Sequence, residues 1–216
     1  MPSAKDVLNA THGKLVFGRR VRVLSDILAT TLPKDAKVLD VGTGDGSIAA
    51  NIMKQRVDLA IEGVDVFKRP TTQIPVTVFD GHLLPFGDGS FDCVLFVDVL
   101  HHTDDASVLV REAARVANNS VVIKDHLLEG MFAGPTLRFM DWVGNRGHDV
   151  VLPYNYLRRS KWDQIFRGAG LQVDSWRGEL GLYPDPASWL FDRQLHFVAR
   201  LTKRRSRSIL WRKGGD

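Results

Sequence analysis

One loop in the chain has residue types that suit the binding of a polar or anionic ligand. An apolar run ends in Asp40, and glycines follow at Gly42, Gly44 and Gly46. Glycine tolerates positive φ angles and lets a ligand approach the backbone without a Cβ in the way. A helical pattern starts directly after the loop, and the free amides of a helix N-terminus favour an anionic or polar group. The pattern predicts a buried strand, a tight turn and a helix that together bind part of a ligand.

Acids follow the next two apolar runs. Asp65 lies at the end of the second run, where a carboxylate can accept both hydroxyl protons of a ribose. The third run ends in Asp80 and Gly81. An acid there can accept an adenine amino group, while the amide of His82 can donate to a ring nitrogen. A plain turn at Asp80-Gly81 and a solvated acid at Asp65 are the structural alternatives.

The fourth and fifth apolar runs are followed by acids and histidines. Ligands bind beyond the carboxyl ends of the strands in open α/β sheets, so we expect Asp98, after the fourth run, to lie near the reacting atom of a ligand. Capping of the following turn is its alternative role. Histidine suits proton transfer near neutral pH, although a structural hydrogen bond is the commoner use. The candidate proton acceptors are His101, His102 and His126.

The spacing of the glycines separates two families of nucleotide-binding proteins. A dinucleotide fingerprint, Gly-x-Gly-x-x-Gly, needs its third glycine at position 47, where this chain has Ser47. The third glycine comes one residue earlier. The glycine loop, Asp80-Gly81 and the segment from Phe91 to His102 resemble the motifs of class I S-adenosylmethionine (SAM)-dependent methyltransferases. The resemblance is to the small-molecule branch, which includes the ubiquinone and menaquinone biosynthesis type. The resemblance covers roughly residues 20–201 and is strongest over 38–102.

The resemblance implies SAM as cofactor and transfer of a methyl group to an O, N or C atom of a small, partly apolar acceptor. The implied cofactor-binding residues are Asp40, Gly42, Gly44, Gly46, Asp65, Asp80, Gly81, His82 and Asp98. In such proteins an N-terminal helix packs beside the cofactor, so His12, Phe17, Arg19 and Arg20 could reach its carboxylate or the substrate. A solvated helix face is the alternative for each of them.

The implied fold is a Rossmann-like, doubly wound α/β sheet of seven mostly parallel strands with an antiparallel C-terminal strand. We expect one domain over residues 1–201, with a lid or substrate wall at 127–160 and a disordered basic tail at 202–216. A helical brace that fills core volume is the alternative for 127–160. That segment mixes aromatic and polar residues, which include Phe132, Arg138, Phe139, Asp141, Trp142, Asn145, Arg146, His148, Tyr154, Asn155 and Tyr156.

Composition narrows the classes of protein. A length of 216 residues suits one α/β domain. A single cysteine, Cys93, excludes an internal disulfide framework and a cysteine-rich zinc site. The adjacent histidines at 101 and 102 lack the helical spacing of metal ligands, so we expect no metal. The sequence shows no secretory signal and no apolar run as long as a membrane span, and we expect a cytoplasmic protein.

Two other functions stay open. A nicotinamide-dependent oxidoreductase would use Asp65 on a ribose equally well. A non-catalytic SAM-binding protein could be targeted by the basic tail, which could also make weak contact with a membrane surface. The expected partner is a small acceptor with an apolar or aromatic body. We expect no nucleic acid, because the body of the chain has no aromatic-basic recognition motif.

Overall fold

The computed structural model describes residues 4–144, 153–192 and 194–204. The first half of the described chain contains α1 (Ala4–Thr31), β1 (Lys37–Val41), α2 (Ser47–Gln55), β2 (Ala60–Asp65), β3 (Val76–Val78), β4 (Phe91–Val97) and α3 (Ala106–Val116). The second half contains β5 (Ala117–His126), α4 (Ala133–Gly144), α5 (Arg159–Gly168), β6 (Leu171–Arg177), α6 (Ser188–Phe191) and β7 (His196–Lys203). A 3₁₀ turn, Leu100–His102, follows β4.

The seven strands form one sheet in the order β3-β2-β1-β4-β5-β7-β6. Strands β1 to β5 pair in parallel, and β7 runs antiparallel to both β5 and β6. The expected Rossmann-like sheet with an antiparallel C-terminal strand is therefore confirmed. The strand order reverses between β1 and β4, and ligands bind at such a switch point beyond the carboxyl ends of the strands.

Helices cover both faces of the sheet because its central strands are apolar on both sides. Alternate residues of a strand point to opposite faces, and Val38 and Leu39 of β1 accordingly lie in different core clusters. The face towards α1 and α2 buries Leu28, Val38, Ile52 and Cys93. The face towards α3 and α5 buries Leu39, Val94, Leu109 and Trp162. The two layers hold the strand ends in fixed register.

The domain boundary predicted at residue 201 is two residues too early. Leu171 of β6 pairs with Lys203, so Thr202 and Lys203 belong to the sheet and not to a tail. The sequence pattern missed this because the polar residues at the end of β7 resemble the start of the basic tail. Residues 205–216 of the expected basic tail lie outside the described residues.

Among the helices that are described, none is long and apolar enough to cross a membrane.

The segment expected to be a lid or a brace has two different faces. Leu137 of α4 is fully buried in a cluster with Tyr156 and Leu195, which is the packing expected of a brace. Phe139 and Trp142 on the same helix are about half exposed, as expected of a wall that faces a ligand or solvent. Asn145, Arg146 and His148 lie outside the described residues.

The first prediction concerns the core. Trp162 is fully buried against Phe166 and Phe197, whereas Trp189 is 74% exposed. We expect Trp162→Ala to lower the free energy of unfolding by about 3–5 kcal/mol, because it removes a buried ring and leaves a cavity. Trp189→Ala is the control and should change it by less than about 0.5 kcal/mol. Urea unfolding measures both, and equal losses would contradict this account of the core.

Candidate functional site

The glycine loop combines tight packing with one open position. Gly42, Gly44 and Gly46 have φ angles of 72°, 61° and 75°. A Cβ at Gly42 would lie 2.5 Å from a methyl of Val99, and one at Gly46 would lie 2.6 Å from Ile74 Cγ1. A Cβ at Gly44 would meet no atom of the described residues within 4 Å. Packing thus requires two of the glycines, and the third leaves backbone accessible to a ligand.

Asp65 lies against this loop. Its Oδ2 accepts a hydrogen bond from the amide of Gly44 at 2.8 Å, and its Oδ1 accepts one from the amide of Phe67 at 3.1 Å. The half-buried carboxylate retains lone pairs for further donors, such as ribose hydroxyls. The ends of β1 and β2 are therefore joined at the place where the sequence analysis put one sugar.

Asp40 lies beneath the loop and supports it. The Thr43 hydroxyl donates to Asp40 Oδ2 at 2.6 Å, and the carboxyl is 3% exposed. Burial raises the pKa of Asp40 to about 7, against the opposing effect of the Thr43 hydrogen bond. The side chain thus shapes the loop from below, and its expected contact with a cofactor stays a prediction.

The Asp80-Gly81 segment is a turn held by its own acid. Asp80 Oδ1 accepts hydrogen bonds from the amides of His82 and Leu83, each at 2.8 Å. These bonds lower the pKa of Asp80, the Leu83 amide having the larger effect. The amide of His82, expected to serve a purine nitrogen, donates to Asp80 within this Asx turn, and its contact with a ligand stays a prediction.

Two exposed apolar side chains flank this turn and were not singled out from the sequence. Val66 follows β2 and Leu83 follows the Asp-Gly pair, and each is 60% exposed. A Cβ built on Gly81 would lie 3.2 Å from Val66 Cγ1, so the end of β2 and the turn are in contact. Large apolar residues in such positions offer a surface for a flat ring.

Beyond β4 and β5 the chain buries a set of polar side chains, here called the polar cluster. Its members are Arg20, Asp98, His101, His102, Lys124, Asp125, His126, Asp141, Tyr156 and His196. The three predicted histidines are thus brought together. Lys124 and His196 were not singled out from the sequence. Asp125 follows an apolar run beside His126, and Asp141 and Tyr156 belong to the segment expected to form a lid or substrate wall, but none of the three was assigned a role in the site.

Asp98 is the charged centre of the polar cluster. Its Oδ1 pairs with Lys124 and its Oδ2 with Arg20 of α1. Burial alone would raise the pKa of Asp98, but the charges of Lys124 and Arg20 outweigh burial and hold it well below its usual range. Both oxygens are thus occupied by cations of the protein, which the sequence pattern did not reveal. The following turn is capped by Asp125, whose Oδ2 accepts from the amide of Leu100 at 2.9 Å, and not by Asp98.

Asp125 also orients two of the histidines. Its Oδ1 lies 2.7 Å from His101 Nδ1 and accepts a hydrogen bond from the amide of His126. His101 Nε2 lies 3.5 Å from Asp141 Oδ2, which accepts a hydrogen bond from the Tyr156 hydroxyl. The His101 ring is therefore held between two carboxylates.

The other two histidines differ in exposure. Burial, assisted by the neighbouring His101, lowers the pKa of His102 to about 4, so this half-buried ring is neutral at pH 7. His126 is fully enclosed, and burial lowers its pKa as well. Its Nδ1 lies 3.3 Å from His101 Nδ1. Both rings can serve as uncharged hydrogen-bonding or ligand groups.

Comparison with known proteins agrees with this arrangement. The family model described as a methyltransferase domain matches residues 16–175. Ajmaline N-methyltransferase of Rauvolfia serpentina is 26% identical over 163 residues, which are 69% of this chain and 50% of that protein. The ubiquinone/menaquinone biosynthesis C-methyltransferase UbiE of Desulfotalea psychrophila is 32% identical over 93 residues, 39% of this chain and 38% of that protein.

A solved structure shares the fold over nearly its whole length. It is the putative methyltransferase in complex with the Trm112 methyltransferase activator of Haloferax volcanii, with a TM-score of 0.67 at 16% identity, covering 94% of this chain and 98% of that one. The fold is that of class I SAM-dependent methyltransferases. The chain belongs to the methyltransferase domain family. It spans about half or less of the length of the two curated relatives.

The second prediction follows from the buried acid under the loop. Since the pKa of Asp40 rises from 3.8 to about 7 on folding, the folded protein holds a proton that the unfolded chain releases. Stability should therefore fall as the pH rises from about 4 to 7 and level off above it. Asp40→Asn removes this ionisation and keeps an acceptor for Thr43. From pH 5 to 8 the wild type should lose on the order of 2 kcal/mol more than the variant.

Urea unfolding at the two pH values measures the difference. Asp45→Asn, at an exposed acid of the same loop, is the matched control and should behave like the wild type. Identical pH dependence in the wild type and Asp40→Asn would show that Asp40 is ionised throughout this range.

Proposed function

We propose that the protein transfers a methyl group from SAM to an O, N or C atom of a small, partly apolar acceptor. The observation that carries this proposal is the hydrogen bond between the accessible Gly44 and Asp65. It lies at the switch point of a sheet whose strand order is that of the methyltransferase fold. The neighbouring ends of β1 and β2 then hold a glycine loop for the amino-acid part of a cofactor and a carboxylate for its sugar. Membership of the methyltransferase domain family supports the same conclusion.

The residues beyond the strand ends fit the parts of SAM. Gly44 offers open backbone, Asp65 offers lone pairs to ribose hydroxyls, and Asp80 has a second carboxylate oxygen for an adenine amino group. Val66 and Leu83 present apolar surface to the purine. When bound, SAM supplies an electrophilic methyl group. What the protein must add is an in-line position for the acceptor and exclusion of water.

We place the acceptor at the polar cluster. A poorly acidic hydroxyl, amine or carbon needs a proton acceptor, and His101, His102 and His126 are the candidates. His101 is the best supported proton acceptor of the three. Asp125, at 2.7 Å from Nδ1, fixes the ring and leaves Nε2 towards Asp141. His102 is the most exposed of the three and suits a hydrogen bond to the acceptor.

The surface beside the polar cluster favours an acceptor with an apolar body. Phe139 of α4 stacks on Phe191 of α6, and Tyr183 lies between Phe191 and His196. Successive ring contacts thus connect the exposed surface with the buried polar cluster. The two relatives are named for the N-methylation of ajmaline and for a C-methylation in ubiquinone/menaquinone biosynthesis, and neither name refers to a macromolecular acceptor.

The third prediction separates SAM from a nicotinamide cofactor. Calorimetric titration of the whole protein should give heat with SAM and none with NAD. Gly44→Ala should weaken SAM binding at least about tenfold, since it adds a Cβ on the open side of the loop. Gly170→Ala is the control, because Gly170 has a φ of 72° and an equally open surrounding away from the site. Tight NAD binding without SAM heat would identify an oxidoreductase.

The fourth prediction concerns the acceptor side. Labelled SAM is first offered with lipid, quinone and phenol extracts to find a methylated fraction. Asp125→Asn should then lower the transfer rate about 10²-fold while the affinity for SAM stays unchanged, because His101 loses the carboxylate that orients it. Asp163→Asn, at a half-exposed ion pair on α5, is the control. SAM binding without transfer to any fraction would favour the non-catalytic alternative.

A further inference from the structure

Two buried imidazole nitrogens in the polar cluster point to a ligand. His101 Nε2 and His102 Nδ1 are enclosed, and neither has a hydrogen-bond partner among the described residues. His101 is 2% exposed, and Asp141 Oδ2, at 3.5 Å from its Nε2, is near enough for electrostatic attraction but beyond the usual length of a hydrogen bond. An unpaired polar atom in the interior costs on the order of 1–3 kcal/mol, so two in one place indicate a function.

These two histidines and Asp141 have the spacing of a metal site. One nitrogen of each ring and one carboxylate oxygen all lie within 4.8 Å of one another. Ligand atoms bound at about 2.1 Å to one ion are separated by about 3–4 Å, so the observed spacing needs only small side-chain adjustments. The residues come from the turn after β4 and from α4, nearly forty positions apart. The histidine pair is therefore recognisable in the sequence, whereas its association with Asp141 is not.

Neighbouring groups orient two of the three candidate ligands. His101 Nδ1 lies 2.7 Å from Asp125, and a neutral His101 ring that donates to Asp125 through Nδ1 presents its Nε2 lone pair to an ion. Asp141 accepts the Tyr156 hydroxyl. Histidine ligands in metal sites typically donate through their other nitrogen to a carboxylate, which fixes the ring and its tautomer. The polar cluster thus contains both ligands and their supports.

A second group of possible ligands, Asp98, His101 and His126, has similar spacing. Asp98 already pairs with Lys124 and Arg20, and these two cations would repel a metal ion at that position. Asp141 lies on the other side of His101, at Nε2. The first group is therefore the better cation site.

We propose that His101, His102 and Asp141 bind a divalent transition-metal ion such as Zn²⁺ or Co²⁺. Imidazole ligands favour these ions over Mg²⁺ and Ca²⁺, which prefer oxygen. Three protein ligands leave coordination positions open to water or to an acceptor oxygen. The bound ion would lower the pKa of an acceptor hydroxyl, where the metal-free protein would rely on His101 to accept the proton, and this role, unlike the binding itself, rests on the proposed function.

The test is a titration of the chelator-treated, full-length protein with Co²⁺, whose visible absorption reports nitrogen and oxygen ligands without any assay of activity. We expect about one equivalent of Co²⁺ to bind, with displacement by Zn²⁺ and not by Mg²⁺. Asp141→Asn and His102→Gln should each weaken Co²⁺ binding at least tenfold, and melting curves establish that both variants are folded. His82→Ala, at an exposed histidine outside the polar cluster, is the control and should bind as the wild type does.

Absence of a Co²⁺ spectrum overturns the proposal. So does wild-type affinity in both variants, or an affinity lost only in Asp98→Asn, which would move the ion to the second group. SAM calorimetry on the same metal-free sample tests the proposed function separately. SAM binding without Co²⁺ binding refutes only the metal site, and Co²⁺ binding without SAM binding refutes only the methyl donor.

Discussion

The pairing of Asp98 with Lys124 and Arg20 is the interaction on which the arrangement of the site depends. Lys124 lies in the central strand β5 and is completely buried, and burial lowers its pKa. A buried lysine needs an anion, and the register that pairs Val97 with Lys124 puts Asp98 directly beyond that pair. Asp98 adopts a φ of 57°, which few side chains tolerate, and its second oxygen binds Arg20. One carboxylate thus joins β4 and β5 and holds α1 over the strand ends.

The two halves of the site are built by different physical means. The glycine loop, proposed to bind the cofactor, consists mainly of backbone, with glycines that permit left-handed turns and an amide held by Asp65. The polar cluster, proposed to bind the acceptor, consists of buried side chains that hold one another through charge and hydrogen bonds, with Asp125 between His101 and the amide of Leu100. Backbone geometry depends on few residue types, whereas a buried polar network depends on every partner. Substitutions should therefore change the specificity for the acceptor more readily than the specificity for the methyl donor.

This difference also explains what the sequence predicted. The sheet and the positions of Asp65 and Asp80 were predictable because each depends on a local pattern, an apolar run followed by an acid or glycine. Lys124 and Asp141 were not, because a lysine within an apolar strand or an acid among aromatics is informative only once its distant partner is known. The amide of His82 is the opposite case. Its sequence context was recognised, but the pattern did not show that this amide donates to Asp80 within the turn.

Helix α4 contributes to both polar chemistry and apolar surface. Its inner residues bring Asp141 to His101 and pack Leu137 against Tyr156, and its outer residues leave Phe139 half exposed beside Phe191. Helix α4 has apolar residues on both sides and one buried acid, so its sequence shows no simple amphipathic pattern. One side packs in the interior, and the other faces the surface beside α6. The polar groups of the acceptor would meet the side that carries Asp141, and its apolar body would meet the aromatic side. Under the proposed function, acceptor specificity would depend on how α4 packs against the carboxyl ends of the strands.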